Sequence, residues 1–321
     1  MIVEPSSNAN NKKWSVLIRW LGTLLSIGIL GWLLYKTGWQ QVWEQTRQLA
    51  WWRLVACVVL VFISRLATWG RWHTLMQVQD VKVRWQDSLR LTFAGLFASN
   101  VLPTTIGGDV ARLAGAVRIG VEPAMAAASL MADRLVGMTG MALVLPFAVP
   151  ALLEKTRNGK AAEGLFWALA VLPDHRLWGK LKRGIAKVLT SFKYWLMHPD
   201  ILLKALGFTF IHMACIYGIV TLLIEGMGES MPLHLIAGIW SLTYFINLLP
   251  VSINGLGLQE VTITNLFALL GGLQATTTLS LAVILRAIWM IGSLPGAFFL
   301  SSVIAGKRNG IEEKNLEVNE P

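Results

Sequence analysis

The stretch from Asn100 to Asp109, Asn-Val-Leu-Pro-Thr-Thr-Ile-Gly-Gly-Asp, interrupts an apolar segment with a proline, two glycines and a carboxylate. A similar stretch, Asn-Leu-Leu-Pro-Val-Ser-Ile-Asn-Gly-Leu-Gly, begins at Asn247 and is followed by Glu260. Proline lacks a backbone N–H and glycine is a poor helix former, so each stretch predicts a break between two helices. An apolar segment with an arginine follows each break, Arg134 in one and Arg286 in the other. The sequence therefore predicts an internal pseudo-repeat around two Asn-x-Leu-Pro motifs.

The composition is typical of a membrane protein. Of the 321 residues, 55% are hydrophobic and only 14% are charged, and the mean hydropathy is +0.56. Soluble proteins average about 25% charged residues. Six apolar runs approach or exceed the roughly 20 residues that cross a bilayer as a helix. These runs are Trp14 to Tyr35, Trp51 to Trp69, Ala124 to Leu153, Ile201 to Ile224, Leu233 to Leu249 and Leu279 to Ile304.

Three further apolar runs have only about three to four helical turns each: Leu89 to Leu102, Ala161 to Leu172 and Val261 to Gly272. Such runs are too short for an ordinary crossing. We therefore predict an all-α polytopic membrane protein that forms a single integral membrane domain over residues 1–321. It is expected to contain about 7–8 transmembrane helices plus one or two short re-entrant helices.

Lysine and arginine flank the apolar runs in four regions: the segment 1–13, the connection that contains Arg71, Arg84 and Arg90, the segment 174–200 and the tail 306–321. The positive-inside rule predicts that these regions are cytoplasmic, which places both termini on the cytoplasmic side of the cell inner membrane. Segment 174–200 has apolar residues at helical spacing and a cationic face. This pattern predicts an amphipathic helix that lies either in the membrane interface or on the protein's own cytoplasmic face.

The loop charges also bear on the short runs. The connection that contains Arg84 and the segment 174–200 are both predicted to be cytoplasmic, so the chain must cross the membrane an even number of times between them. Three apolar runs lie in that interval, so one of them should not cross. We expect Leu89 to Leu102 to be a re-entrant half-helix, because Pro103, Gly107 and Gly108 end it; a full short crossing in a thinned bilayer is the alternative. For the second break a re-entrant helix and a crossing both stay open, because Val261 to Gly272 must still cross if the tail is cytoplasmic.

Charged residues within the apolar segments are the candidate functional residues. A charge at the bilayer centre costs roughly 2.5 to 3.5 kcal/mol on insertion scales, so it is usually paired or lines a pathway. Arg65 could instead extend to the interface, and Asp109 and Glu260 could instead cap the helices that follow them. The predicted substrate-binding residues, grouped around one central cavity, are Arg65, Asp109, Arg112, Asp133, Arg134, Glu260 and Arg286. The predicted backbone breaks are Pro103, Gly107, Gly108, Pro250, Gly255 and Gly257.

The phrase from Asn100 to Asp109, the triplet Asp133-Arg134-Leu135 and the phrase from Leu249 to Glu260 resemble the flippase-like membrane domain of lysylphosphatidylglycerol synthases. The resemblance covers essentially the whole chain and implies lipid translocation or lipid binding. It also implies that Asp109, Arg134 and Glu260 contact the lipid headgroup. The synthase domain that follows this region in the two-part enzymes has no counterpart here, so lysyl transfer is not expected.

These observations predict a lipid flippase-like transporter or lipid-binding protein that moves a phospholipid or a polyprenyl-phosphate-linked lipid. One alternative is a membrane-embedded transferase acting on a lipid-linked sugar or phospholipid, with Asp109 or Glu260 as general base. Another is a non-transporting accessory subunit of envelope lipid enzymes. We recognise no catalytic, metal-binding or nucleotide-binding motif, so no catalytic residue or cofactor is predicted and an enzyme is disfavoured. The expected partners are membrane lipid and proteins of envelope-lipid or glycan biosynthesis, with no nucleic acid; the oligomeric state is left open.

Overall fold

The computed structural model describes residues 39–77, 83–101, 107–157, 197–248 and 255–305, together with positions 28, 31 and 35. Every regular element within these ranges is helical, which confirms the predicted all-α class. The helices are α1 (Trp39–Arg47), α2 (Trp51–Met76), α3 (Trp85–Val101), α4 (Gly107–Arg118), α5 (Pro123–Val144), α6 (Val149–Arg157), α7 (Pro199–Gly226), α8 (Leu233–Asn247), α9 (Leu258–Leu269), α10 (Ala275–Ser293) and α11 (Pro295–Ala305). A 3₁₀ turn, Leu145–Ala148, joins α5 to α6.

Four described segments are long and apolar enough to cross a membrane: Trp51–Met76, Pro123–Lys155, Pro199–Gly226 and Ala275–Leu300. Helix α8 is apolar but has only 15 residues. The membrane class is thus confirmed, whereas the count of about 7–8 crossings stays a prediction. The first apolar run (apart from positions 28, 31 and 35), the run from Ala161 to Leu172 and the predicted cytoplasmic tails lie outside the described residues. So does most of the predicted amphipathic segment 174–200, whose last two residues instead begin α7.

Helices α2 and α7 pack against each other as an antiparallel pair. Arg53 near the start of α2 donates to the carbonyl of Leu222 near the end of α7, whereas Arg71 near the end of α2 reaches Thr209 in the first half of α7. Small residues let the two helices approach: a Cβ at Gly70 would collide with the ring of Phe208. Among the described residues, the largest buried apolar cluster includes side chains of both helices, such as Cys57, Val61, Ile219 and Leu223.

Helices α3 and α4 form a hairpin whose two arms meet through glycines. A Cβ at Gly108 would collide with the Ser99 hydroxyl and the Gly95 carbonyl, and a Cβ at Gly95 would collide with the Arg112 side chain. Residue numbers therefore rise along one arm as they fall along the other, with the first break between them. The absence of a side chain at Gly108 therefore permits the close approach of the two arms.

Helices α8 and α9 form a second hairpin with the same connectivity. A Cβ at Gly271, just after α9, would collide with Met231, just before α8. The Glu229 carboxylate, also before α8, accepts a hydrogen bond from the backbone N–H of Gln274 at 3.3 Å. The outer ends of the two arms thus lie together, and the second break lies at the far end of the hairpin.

Each hairpin packs against the final segment of the other repeat. Helix α8 packs on the 3₁₀ turn after α5, where a Cβ at Gly238 would collide with the backbone of Phe147 and Ala148. Helix α3 packs on α11, where a Cβ at Gly296 would collide with the carbonyl of Phe93. Each repeat therefore consists of a helix, a break, a short helix, a long helix and a final segment that supports the other repeat. The final segments begin with the dipeptides Leu145-Pro146 and Leu294-Pro295, which sequence reasoning did not recognise as part of the repeat.

Candidate functional site

In the first repeat, the carboxylate that follows the break in sequence pairs with an arginine of the next long helix. Asp109 is the third residue of α4, and Arg134 is the twelfth residue of α5. The Arg134 Nε donates to Asp109 Oδ2 at 2.6 Å, and its Nη2 also contacts the same oxygen. The Asp109 side chain is 17% exposed and that of Arg134 is 48% exposed. The pair is therefore open on the arginine side.

The second repeat contains the same pair at the same positions. Glu260 is the third residue of α9, and Arg286 is the twelfth residue of α10. The Arg286 Nε donates to Glu260 Oε1, and its Nη2 donates to the carbonyl of Gly255 at 3.2 Å. Gly255 and Gly257 have φ of 67° and 75°, a left-handed backbone that glycine adopts without strain. The predicted break residues Gly255 and Gly257 thus shape the turn that Arg286 holds.

The first pair extends into a larger group, which we call the first-repeat cluster: Arg71, Asp109, Arg112, Asp133 and Arg134. Arg112 Nη2 donates to Asp109 Oδ1 at 3.1 Å and to Asp133 Oδ2 at 3.4 Å. Arg71 Nε donates to Asp133 Oδ1 at 2.6 Å. Three arginines face two aspartates, so the cluster carries a formal charge of about +1. The second pair is formally neutral.

Neighbouring side chains hold the arginines of the first-repeat cluster in place. The Arg112 guanidinium lies over the Trp72 ring, 4.9 Å from its centroid, which is a cation–π contact. Arg71 Nη1 also donates to Thr209 Oγ1 at 3.3 Å, and Gly137 leaves room for this guanidinium. Arginines from α2 and α4 are thereby fixed around the carboxylate of α5.

Arg65 belongs to neither ion pair. Its Nε is buried without a hydrogen-bond partner among the described residues, close to Gly292 of α10. Glu260 Oε2 and Asn247 Oδ1 are likewise buried and unpartnered in the described part of the chain. Of the seven predicted residues, the structure joins Asp109, Arg112, Asp133 and Arg134 in one group and Glu260 with Arg286 in another. Across the described ranges no hydrogen bond or ion pair links the two groups, and their role as lipid contacts stays a prediction.

Sequence reasoning missed Arg71, a member of the first-repeat cluster, and Tyr244. The apolar run that ends at Trp69 places Arg71 in a cytoplasmic connection, but α2 continues to Met76 and leaves this arginine only 11% exposed. Tyr244 of α8 lies within electrostatic range of Arg71 and Arg134. A helical pattern extended past Trp69 would have found Arg71, whereas no sequence signal marks one tyrosine in an apolar helix.

The breaks themselves are only partly described. Pro103 and Pro250 lie outside the described residues, and Gly107 and Gly108 are buried in the first turn of α4. Among the described residues, no group of three or more His, Cys, Asp or Glu side chains is placed to hold a metal ion.

Two helical hairpins, each followed by a long helix whose arginine pairs with a carboxylate of the hairpin, define a helical membrane domain built from two repeats. Residues 19–296 match the family model for the lysylphosphatidylglycerol synthase TM region. The chain belongs to this family, which confirms the resemblance inferred from the two breaks and the Asp133-Arg134-Leu135 triplet. Among curated proteins, none matches the chain significantly.

Proposed function

We propose that this protein binds the headgroup of a phosphate-bearing membrane lipid between its two repeats and moves that lipid across the inner membrane. The lipid is a phospholipid or a polyprenyl-phosphate-linked lipid, and the protein acts as a flippase-like transporter. The observation that carries the proposal is that a carboxylate–arginine pair is repeated after each break, with carboxylates that are only 17% and 6% exposed. Paired helix breaks in two halves of a transporter mark substrate sites near the bilayer midplane.

The lengths of the hairpin arms support re-entry. At 1.5 Å per residue, α8 is about 22 Å long and α9 about 18 Å, whereas the hydrocarbon core is about 30 Å thick. In this proposal each hairpin enters and leaves through one face, the first through the cytoplasmic face and the second through the outer face, with its break inside the membrane. The second hairpin then needs no crossing of its own, and the C-terminal tail remains cytoplasmic.

The positions of the arginines support a common depth. Helix α5 follows the basic end of α4 at Arg118, on the proposed cytoplasmic face, whereas α10 follows the acidic contact of Glu229, on the proposed outer face. Arg134 and Arg286 are each the twelfth residue of their helix, which is about 17 Å from its start. Counted from opposite faces, both arginines lie near the middle of the bilayer.

The chemistry of the two groups suits a phosphate. Guanidinium groups bind phosphate oxygens through parallel hydrogen bonds, and the first-repeat cluster has an excess of positive charge. The candidate site comprises Arg65, Asp109, Arg112, Asp133, Arg134, Glu260 and Arg286, in which the arginines are the candidate phosphate contacts and the carboxylates are counter-ions. Asp109 keeps Arg134 paired until a headgroup enters.

A lipid-scrambling assay tests the proposal. The purified full chain is reconstituted into vesicles with fluorescent phosphatidylglycerol, and dithionite quenching reports lipid movement between leaflets. We expect transport above that of protein-free vesicles and a loss of about tenfold in Arg134→Gln, the size of one lost charged hydrogen bond. The matched control is Arg53→Gln, which alters an ion pair between the start of α2 and Glu225 at the end of α7. Wild-type rates equal to those of protein-free vesicles contradict the function; equal rates in Arg134→Gln and wild type contradict the site.

A further inference from the structure

The two ion pairs occupy equivalent positions but have different surroundings. Arg134 is 48% exposed, whereas Arg286 is 16% exposed and also holds the Gly255 carbonyl. Asp109 has a second cation, because Arg112 donates to its other oxygen. Among the described residues Glu260 has only Arg286, and its Oε2 is buried without a partner. The two pairs therefore differ in chemistry: Asp109 contacts two arginines, whereas Glu260 contacts one among the described residues.

This difference determines what happens when each arginine leaves its carboxylate. If Arg134 turns away, Asp109 stays paired with Arg112, so no isolated charge is left buried. If Arg286 turns away, Glu260 becomes a buried carboxylate without a cation, which is strongly unfavourable. Only the first pair can exchange its partner at low cost.

We propose that Asp109 is an internal counter-ion that competes with the lipid phosphate for Arg134, whereas Glu260 and Arg286 form a fixed pair that holds the second break. This proposal rests on the proposed function and assigns different roles to the two halves of the site. The phosphate displaces Asp109 from the Arg134 guanidinium, and Arg112 retains the displaced carboxylate. Asp109 thus limits the affinity for the headgroup and returns to Arg134 when the lipid leaves.

Binding of short-chain lipids to the full chain in neutral detergent tests this competition. The probes are dioctanoyl phosphatidylglycerol, dioctanoyl phosphatidic acid and, as a headgroup-free control, dioctanoylglycerol, with dissociation constants from isothermal titration calorimetry. Removing the competitor in Asp109→Asn is expected to tighten binding of both phosphate lipids by about threefold to tenfold, since a charged hydrogen bond no longer has to be broken. Arg134→Gln is expected to weaken their binding by about tenfold, and Arg134→Lys by less.

Glu260→Gln is the matched control, because it makes the same chemical change at the equivalent position of the second repeat. It is expected not to tighten binding but to lower the melting temperature. The double variant Glu260→Gln/Arg286→Gln is expected to have a higher melting temperature than Glu260→Gln alone, because it leaves no buried charge without a partner. Melting temperatures of all variants separate a change in affinity from a change in folding.

The outcomes distinguish this inference from the proposed function. If wild type binds the phosphate lipids but Asp109→Asn weakens binding, Asp109 is a headgroup contact and the inference is wrong while the function stands. If Asp109→Asn and Glu260→Gln tighten binding equally, the two pairs are equivalent and the assigned asymmetry is wrong. If wild type binds neither phosphate lipid, the proposed function fails and this inference fails with it.

Discussion

Asp133 of α5 connects this helix to α2 and α4 through two ion pairs. Its side chain is 3% exposed, and it accepts hydrogen bonds from Arg71 of α2 and Arg112 of α4. Arg112 has a second carboxylate in Asp109, whereas Arg71 has only Thr209 besides Asp133 among the contacts described. The stability of this region therefore depends on one carboxylate more than on any single arginine.

Replacing Asp133 by asparagine should destabilise the protein by about 3 kcal/mol, because it leaves the buried Arg71 guanidinium without an anion. Thermal denaturation in detergent measures this as a lower melting temperature. The matched control Glu225→Gln removes a carboxylate that is half exposed and 3.7 Å from Arg53, and it should cost less than about 1 kcal/mol. Similar melting temperatures for the two variants would show that Asp133 does not hold the helices together.

That the charges in the apolar segments are paired could be expected from the sequence, because a charge in the membrane usually has a partner or lines a pathway. Asp109 with Arg134 and Glu260 with Arg286 could be matched by their equal positions after the two breaks. The partners of Asp133 could not be predicted from sequence, because Arg71 lies in another helix and contacts Asp133 only after α2 and α5 pack together. A second contact of this kind, the Arg112–Trp72 pair, also depends on packing.

At the level of helices, two glycines mark the places where the repeats cross. Gly238 of α8 lies against the backbone of Phe147 and Ala148, and Gly296 of α11 lies against the Phe93 carbonyl. A backbone neighbour cannot move aside as a side chain can, so the missing Cβ sets the distance between the helices. Small residues at helix crossings serve this purpose in membrane proteins.

Gly238→Ala and Gly296→Ala should each destabilise the protein by about 1 to 3 kcal/mol, the usual cost of overpacking. Gly207 of α7 is the matched control, because nothing lies within 4 Å of the position of its Cβ. Gly207→Ala should be neutral or stabilising by up to about 1 kcal/mol, since alanine favours the helix. Melting temperatures of the three variants test this, and equal effects at all three positions would contradict close crossing at Gly238 and Gly296.

The apolar runs predict that helices exist, but they do not predict where each helix ends or which helices pack together as a hairpin. The run from Leu233 to Leu249 has nearly the length of a crossing, and α8 covers 15 residues of it as one arm of a hairpin. The short run from Leu89 to Leu102 is the other hairpin arm, α3. Hydropathy measures the length of a run, whereas the direction of the chain after a break depends on glycine contacts such as Gly95 with Gly108. The repeat could be recognised from the breaks, but the exchange of partners between repeats could not.

At the level of the whole molecule, the two repeats should have opposite orientations in the membrane. Glu122 and Gln274 are equivalent residues, since each precedes the long helix that carries the repeated arginine. Glu122 follows the basic end of α4, whereas the backbone N–H of Gln274 binds Glu229. If the positive-inside rule holds, the first residue is cytoplasmic and the second is external.

Cysteine labelling at these two positions tests the arrangement. In a background with Cys57→Ala and Cys215→Ala, Gln274→Cys should react with a membrane-impermeant maleimide in intact spheroplasts, and Glu122→Cys only in inverted vesicles. Both side chains are exposed, and neither makes a capping hydrogen bond, so cysteine should be tolerated. Labelling of both positions from the same face would mean that the repeats are parallel. Arg134 and Arg286 would then both lie about 17 Å from the same face, and a site between hairpins that enter from opposite faces would have to be abandoned.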